Sequence, residues 1–172
     1  MLSPTQGRIL FNDIDLSQVN SVAHRRNVTM LSQTPTVFAG NIRDNLNVGL
    51  KFQDRNLASD DELLAMLEQV QLKKKLDGSA NILSGGEKQR LALARVLLLN
   101  SEVILLDEPS AALDDETEET IIQMVTKYAR EQKKTIIMVT HSKGIAQQYS
   151  DTIIEISQGR WCQLGVKHEW NR

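Results

Sequence analysis

Three stretches of this chain carry residue types suited to phosphate chemistry. The first is Leu83-Ser84-Gly85-Gly86-Glu87-Lys88-Gln89-Arg90. A helix starting here leaves backbone amides unpaired and carries partial positive charge in its first turn. Two glycines let a ligand approach the backbone, and the Ser84 hydroxyl adds a donor. Together these make an anion site suited to a phosphate. The same string also reads as a well-capped helix after a glycine turn, since Ser84 and Glu87 have capping-box spacing. Local physics leaves both readings open.

The second stretch is Val103-Ile104-Leu105-Leu106-Asp107-Glu108-Pro109. A carboxylate at the C-terminal end of a parallel strand lies where open α/β sheets bind ligands. Two adjacent carboxylates can divide labour: one holds Mg²⁺, the next orients or deprotonates a water. Taken alone, such a pair is more often a turn or a helix cap. The third consists of two single residues past apolar runs, Gln33 after residues 28–31 and His141 after Val139-Thr140. A lone glutamine carries no signal, and a lone histidine after a strand is ordinarily a surface or capping residue.

Placing these side chains requires strands that end just before them and helices that start on them. Residues 8–11 read as a short strand, bounded by Pro4 and Gly7 before and Asn12-Asp13 after. Residues 18–26 read as a helix, and 28–31 as a buried strand running into Ser32-Gln33. Ser59 and Glu62 form a capping box, followed at helical spacing by Leu63, Leu64, Leu67 and Val70. Lys73, Lys74 and Lys75 read as a solvated helix end, where positive charge suits the dipole. The helix capped by Ser84 runs to about Leu99. Residues 102–106 read as a strand, and its contiguous apolar run from Val103 to Leu106 fits burial on both faces. Residues 116–132 read as a helix with Ile121, Ile122, Val125 and Tyr128 on one side. Residues 135–139 read as a strand, 142–149 as a short helix, and 152–156 as a strand turning through Ser157-Gln158-Gly159 into 160–164.

From Val103 onward strands alternate with helices, which argues for an α/β fold with a parallel sheet. The stretch from about 45 to 99 reads as a helical subdomain inserted between strands. Residues 1–44 and 100–164 then form parts of the α/β core, and 165–172 a tail.

At 172 residues the chain has the size of one domain, and 41% hydrophobic residues suffice for a core. Charged residues make up 24% and the net charge is -2, which gives no electrostatic case for nucleic acid or an anionic membrane surface. The single cysteine, Cys162, cannot form an intrachain disulfide, which fits a reducing compartment. The apolar stretches at 96–99 and 103–106 are far shorter than the roughly 20 residues of a membrane span. The first seven residues lack the basic flank and apolar core of a signal peptide. A membrane link is therefore expected through a partner.

Taken in order, these residues resemble the motifs of the ATP-binding cassette (ABC) family. Residues 83–90 are similar to its signature motif, and 103–109 resemble its Walker B strand. Ser110-Ala111-Ala112-Leu113-Asp114 resembles its D-loop, Gln33 its Q-loop glutamine and His141 its switch histidine. The resemblance covers nearly the whole chain and implies a P-loop NTPase-like core that uses ATP and Mg²⁺. It implies Asp107 as the magnesium-side carboxylate and Glu108 as the catalytic base. Gln33 would sense metal and nucleotide, and His141 would contact the γ-phosphate. In the family, cassettes pair head to tail. Ser84, Gly85 and Gly86 would then cap the partner's nucleotide, and Asp114 would lie at the dimer interface. The resemblance also implies a transmembrane permease subunit as partner, with the chain peripheral on the cytoplasmic face of the membrane. Phe38 and Ile42 are candidates for the permease contact, with core packing the alternative for both. Residues 36–46 look closer to exporter-type cassettes, although 76–81 lack the Glu-Arg-Gly type of loop usual there.

The family's Walker A pattern, Gly-x-x-x-x-Gly-Lys-Ser/Thr, is absent, since no glycine here is followed by lysine. The reading is thus of an N-terminally truncated cassette, missing the N-terminal strands and the P-loop. Such a chain is expected to expose sheet edges and apolar faces, to be poorly stable, and to bind ATP weakly. Two other functions stay open. One is a catalytically incompetent cassette acting as a binding or regulatory partner. The other is a non-transport cassette acting on DNA or in translation, which the acidic balance and the lack of a long coiled coil disfavour.

Overall fold

The computed structural model describes residues 4–166. Asn12 and Asp13 both adopt positive φ, 49° and 64°, the two-residue turn whose twist matches paired strands. They fold β1 (Leu10–Phe11) antiparallel onto β2 (Ile14–Asp15). The strand expected at 8–11 is therefore the short arm of a hairpin. Helix α1 (Ser21–Asn27) follows, capped by the Asn20 side chain, which accepts from the Val22 and Ala23 amides. His24 on α1 is buried and meets the Phe11 ring edge-on at 4.9 Å, tying the hairpin to the helix.

Next come β3 (Val28–Leu31), then α2 (Ile42–Phe52), α3 (Asp60–Gln69) and α4 (Gly85–Leu98). The chain returns to strand at β4 (Val103–Asp107), then α5 (Asp115–Glu131), β5 (Thr135–Val139) and α6 (Lys143–Tyr149). It closes with an antiparallel pair, β6 (Thr152–Ser157) and β7 (Arg160–Val166). Strands β3, β4 and β5 form a parallel sheet in that order, with Leu31, Leu106 and Met138 in register. Both expected capping boxes form, Ser59 with Glu62 and Ser84 with Glu87.

The core lies on one side of the sheet. Leu31, Ile104 and Leu106 point into it beside Leu91, Leu93 and Leu97 of α4 and Ile121 of α5. Here β4 departs from expectation, because its alternation is one-sided. Ile104 and Leu106 are buried, while Val103 and Leu105 are only half-buried. Across the opposite face Met30, Ile137 and Val139 are 54%, 57% and 55% exposed. No helix among the described residues covers that face as α4 and α5 cover the other. The contiguous apolar run in β4 suits a two-sided strand, so the open face is apolar without being packed.

One open alternative is resolved and one smaller expectation is corrected. Ile42 is 1% exposed and belongs to the core cluster, so core packing, the alternative reading, applies to it rather than surface contact. Helix α3 ends at Gln69, with Val70 as its cap. Lys73, Lys74 and Lys75 thus lie in the loop beyond it rather than in its last turn.

Candidate functional site

The parallel sheet brings three of the sequence-identified residues together at its C-terminal edge. Beta-strand β3 ends at Leu31, two residues before Gln33; β4 ends at Asp107, one before Glu108; β5 ends at Val139, two before His141. Register does the positioning: Leu31 pairs with Leu106, and Asp107 with Val139. The Glu108 amide donates to the Val139 carbonyl at 3.0 Å, carrying the ladder one residue past the strand.

The Glu108 carboxylate is the meeting point. Gln33 Nε2 donates to its Oε2 at 2.9 Å, and His141 Nε2 lies 2.9 Å from its Oε1. Glu108 is largely screened, at 21% side-chain exposure, whereas His141 is 88% exposed. Glu108 has φ +46°, a left-handed conformation that a long side chain adopts at a cost. Pro109 follows, and the Ala111 amide returns to the Glu108 carbonyl at 3.2 Å, so the turn holds this strain in place. The result is a carboxylate raised off the end of a buried strand, with an amide and an imidazole aimed at it.

The Gln33 loop is fixed from behind. Buried Asn45 of α2 accepts from the Phe38 amide at 2.8 Å and donates to the Phe38 carbonyl at 2.9 Å. Arg95 of α4 donates to the Thr36 carbonyl at 2.8 Å and places its guanidinium 5.2 Å from the centre of the Phe38 ring. Burial pushes the Arg95 guanidinium below its ordinary value, yet it stays charged at any physiological pH. Sequence reading missed Arg95. The available signal was one cation on a helix whose other residues from 91 to 99 are apolar.

Ser84, Gly85 and Gly86 form the first turn of α4. Ser84 Oγ accepts from the Glu87 amide at 3.3 Å, and Glu87 Oε2 accepts from the Ser84 amide at 2.9 Å. This turn packs against the 110–114 segment. A β-carbon on Gly86 would stand 3.0 Å from the Ala112 carbonyl oxygen and 3.1 Å from Leu113 Cδ2. Asp114 caps α5 by accepting from the Thr117 amide at 2.9 Å. That hydrogen bond, with the Arg90 charge nearby, holds its carboxyl below the usual range. Ser110 Oγ donates to the Glu118 carboxylate and anchors the same segment. No hydrogen bond or ion pair joins the Ser84 group to the Glu108 group among the described residues. The Ser84 turn and the Glu108 carboxylate are thus distinct clusters, linked through the 108–114 segment, whose Ala111 amide donates to the Glu108 carbonyl.

A cleft of about 580 Å³ opens between α1, β3, α2 and α4, away from the Glu108 cluster. Met30, Phe38, Val48 and Phe52 line it, with Arg25 and Arg95 among its charged residues. Phe38, one of the two candidate partner contacts, stands in this cleft and is 38% exposed.

No helix among the described residues is long and apolar enough to cross a membrane. The family model described as ABC transporter matches residues 1–111. The chain is 36% identical over 177 residues to the ABC-type transporter fsqE of Aspergillus fumigatus, covering 96% of this chain and 13% of that protein. It is 34% identical over 162 residues to Protein STAR1 of Oryza sativa, covering 94% and 46%. It thus spans less than half the length of either relative. A solved bacterial Atm1-family ABC exporter with ATP bound superposes with a TM-score of 0.85 at 30% identity, covering 98% of this chain and 30% of that one. The ATP-binding cassette MJ0796, solved as a dimer in a post-hydrolysis state with ADP and Pi, gives 0.84 at 28% identity, covering 95% and 75%. Motif order, sheet topology and these likenesses agree, and the chain belongs to the ABC transporter family, with the P-loop NTPase-like α/β fold of its ATP-binding cassette.

Proposed function

We propose that this chain is the ATP-hydrolysing cassette of an ABC transporter that powers transport through a separate membrane subunit, with export the preferred direction. The supporting observation is the meeting of Gln33 and His141 on the Glu108 carboxylate, one residue past Asp107. Export rests on the likeness to the Atm1-family exporter.

In this reading Glu108 accepts a proton at its carboxylate as water attacks the γ-phosphate in line, the bond to the bridging β–γ oxygen breaks and ADP leaves. Gln33 and His141 hold that carboxylate at the sheet edge, and the exposed His141 ring is free to turn towards the γ-phosphate. Among the described residues no three His, Cys, Asp or Glu side chains group to hold a metal. Asp107 and the Gln33 amide oxygen, oxygen donors of the kind Mg²⁺ takes, would hold that cation. Bound there, Mg²⁺ supplies charge neutralisation on the phosphates. Ser84, Gly85 and Gly86 serve the nucleotide of a second cassette across a head-to-tail dimer, with Asp114 at the same interface.

The lysine and glycine cradle for the β- and γ-phosphates is supplied from outside these 172 residues, since the sequence contains no Gly-Lys pair. The segment carrying it would pack on the open face formed by Met30, Ile137 and Val139. The cleft beside Phe38 and Arg95 takes the permease segment, which puts the chain on the cytoplasmic face of the membrane. The inserted helical subdomain, about 45–99, joins this cleft to the signature turn.

Glu108→Gln tests the central role, because glutamine preserves the size of the side chain but cannot take the proton. ATP hydrolysis by the assembled transporter is expected to fall at least about a hundredfold, with nucleotide still bound. Hydrolysis within about twofold of wild type contradicts the assignment. A second reading, a cassette that binds and regulates without hydrolysing, is favoured by the absent Gly-Lys pair. It predicts that the Glu108 variant supports transport as wild type does.

A further inference from the structure

Of the three lysines that follow α3, Lys74 is set apart by its position. Its Nζ lies 2.8 Å from Glu87 Oε1, at the N-terminus of α4, and the side chains are 34% and 22% exposed. The loop is pinned on both sides of it, by Leu72 and Leu76, which are 2% and 6% exposed in the core. The Lys74 amide also donates to the Leu72 carbonyl at 2.9 Å. Glu87 is thereby held by two groups, Lys74 at Oε1 and the Ser84 amide at Oε2. Those two contacts, Lys74 first, keep its carboxyl below the usual range, so it is ionised at neutral pH.

A full negative charge therefore stands in the first turn of α4, one turn or less from the amides of Gly85 and Gly86. Those amides have no intrahelical acceptor. The charge favours the helix itself but opposes a second anion at the same amides. A half-buried ion pair at the surface contributes modestly to stability, and its larger consequence is for anion binding at these amides.

We infer that Lys74 is a positioning residue for nucleotide at the signature turn: it cancels the Glu87 charge and holds that carboxylate turned onto the Ser84 amide, leaving the Gly85 and Gly86 amides open to phosphate. The inference rests on the cross-dimer reading of Ser84, Gly85 and Gly86 given above.

The test is the ATP dependence of hydrolysis by the assembled transporter. The variants are Lys74→Met, Lys74→Arg, Glu87→Gln and the Lys74→Met/Glu87→Gln double. Lys74→Met is expected to raise the ATP concentration for half-maximal rate about fivefold, with the maximal rate nearly unchanged. The defect shrinks in high salt, which screens the partly exposed charge. Lys74→Arg is expected to lie near wild type. The double variant is expected to return to the wild-type ATP dependence, because with the Glu87 charge gone nothing remains to cancel. An unchanged half-saturation in Lys74→Met overturns the inference. So does a double variant that keeps the full Lys74→Met defect, which would show that Lys74 acts only by tethering its loop. Ser84→Arg run in parallel separates the two levels. If it leaves the ATP dependence untouched, the cross-dimer reading fails and takes the inference with it. If it impairs ATP use while Lys74→Met does not, the inference alone fails.

Discussion

Glu108 takes its chemistry from where it stands more than from its residue type. It follows a buried strand in a left-handed conformation, and its two oxygens are engaged by residues 75 and 33 positions away in sequence. Arg95 acts on the same machinery at one remove, by holding the Thr36 carbonyl and the Phe38 ring. Arg95→Ala removes a charge-assisted hydrogen bond and a cation–π contact, so the cassette is expected to lose about 2 kcal/mol in urea unfolding. A loss below about 0.5 kcal/mol would show that the contacts are incidental. At this scale a sequence shows residues that stand together in one string and hides partners that are distant in the chain. Asp107, Glu108 and Ser84 stand in continuous strings. Arg95 and Lys74 gain meaning only through Thr36, Phe38 and Glu87, which no local pattern links to them. Ile42 shows the reverse case, an apolar side chain whose neighbourhood in sequence leaves core and contact surface both open and which the core takes.

At the scale of elements, the start of α4 is built by competing demands on two glycines. Glycine in a first helical turn gives up helix propensity, and alanine there would ordinarily add up to about 1 kcal/mol. At Gly85 the nearest atom to an added β-carbon is 3.9 Å away, an ordinary contact. At Gly86 the Ala112 carbonyl at 3.0 Å is backbone and cannot give way without moving the segment that leads into α5. Gly85→Ala is therefore expected to leave the melting temperature unchanged or raised, and Gly86→Ala to lower it by several degrees, about 1 kcal/mol. Equal effects of the two changes would show that the packing of 84–86 on 110–114 is not tight. The capping boxes, the Asn12-Asp13 turn and the ends of β3 and β5 were legible because each is set by residues within four positions. The end of α3 was not, since three lysines suit either a last turn or a loop, and buried Leu72 and Leu76 settle it.

The whole molecule is a sheet packed on one side. Its core is continuous from α2 through α4 to α5, while the other face presents Met30, Ile137 and Val139 to solvent. The α/β class and the parallel sheet were legible from the alternation after Val103, whereas the strand order was not. The one-sided burial of β4 was not, because a contiguous apolar run records what a strand is suited to pack against rather than what surrounds it here. The Glu108 cluster, the turn at Ser84, the open face and the missing Gly-Lys pair fit the proposed cassette, which would supply hydrolytic and cross-dimer groups and receive its phosphate cradle from an additional segment. The direct test is titration of a fluorescent ATP analogue with Mg²⁺ onto the 172-residue chain and onto the same chain joined to a Gly-x-x-x-x-Gly-Lys-Ser/Thr strand–loop–helix segment. The account predicts at least about a hundredfold tighter binding by the joined form. Equally tight binding by the chain alone would contradict it and would place a phosphate cradle within these residues.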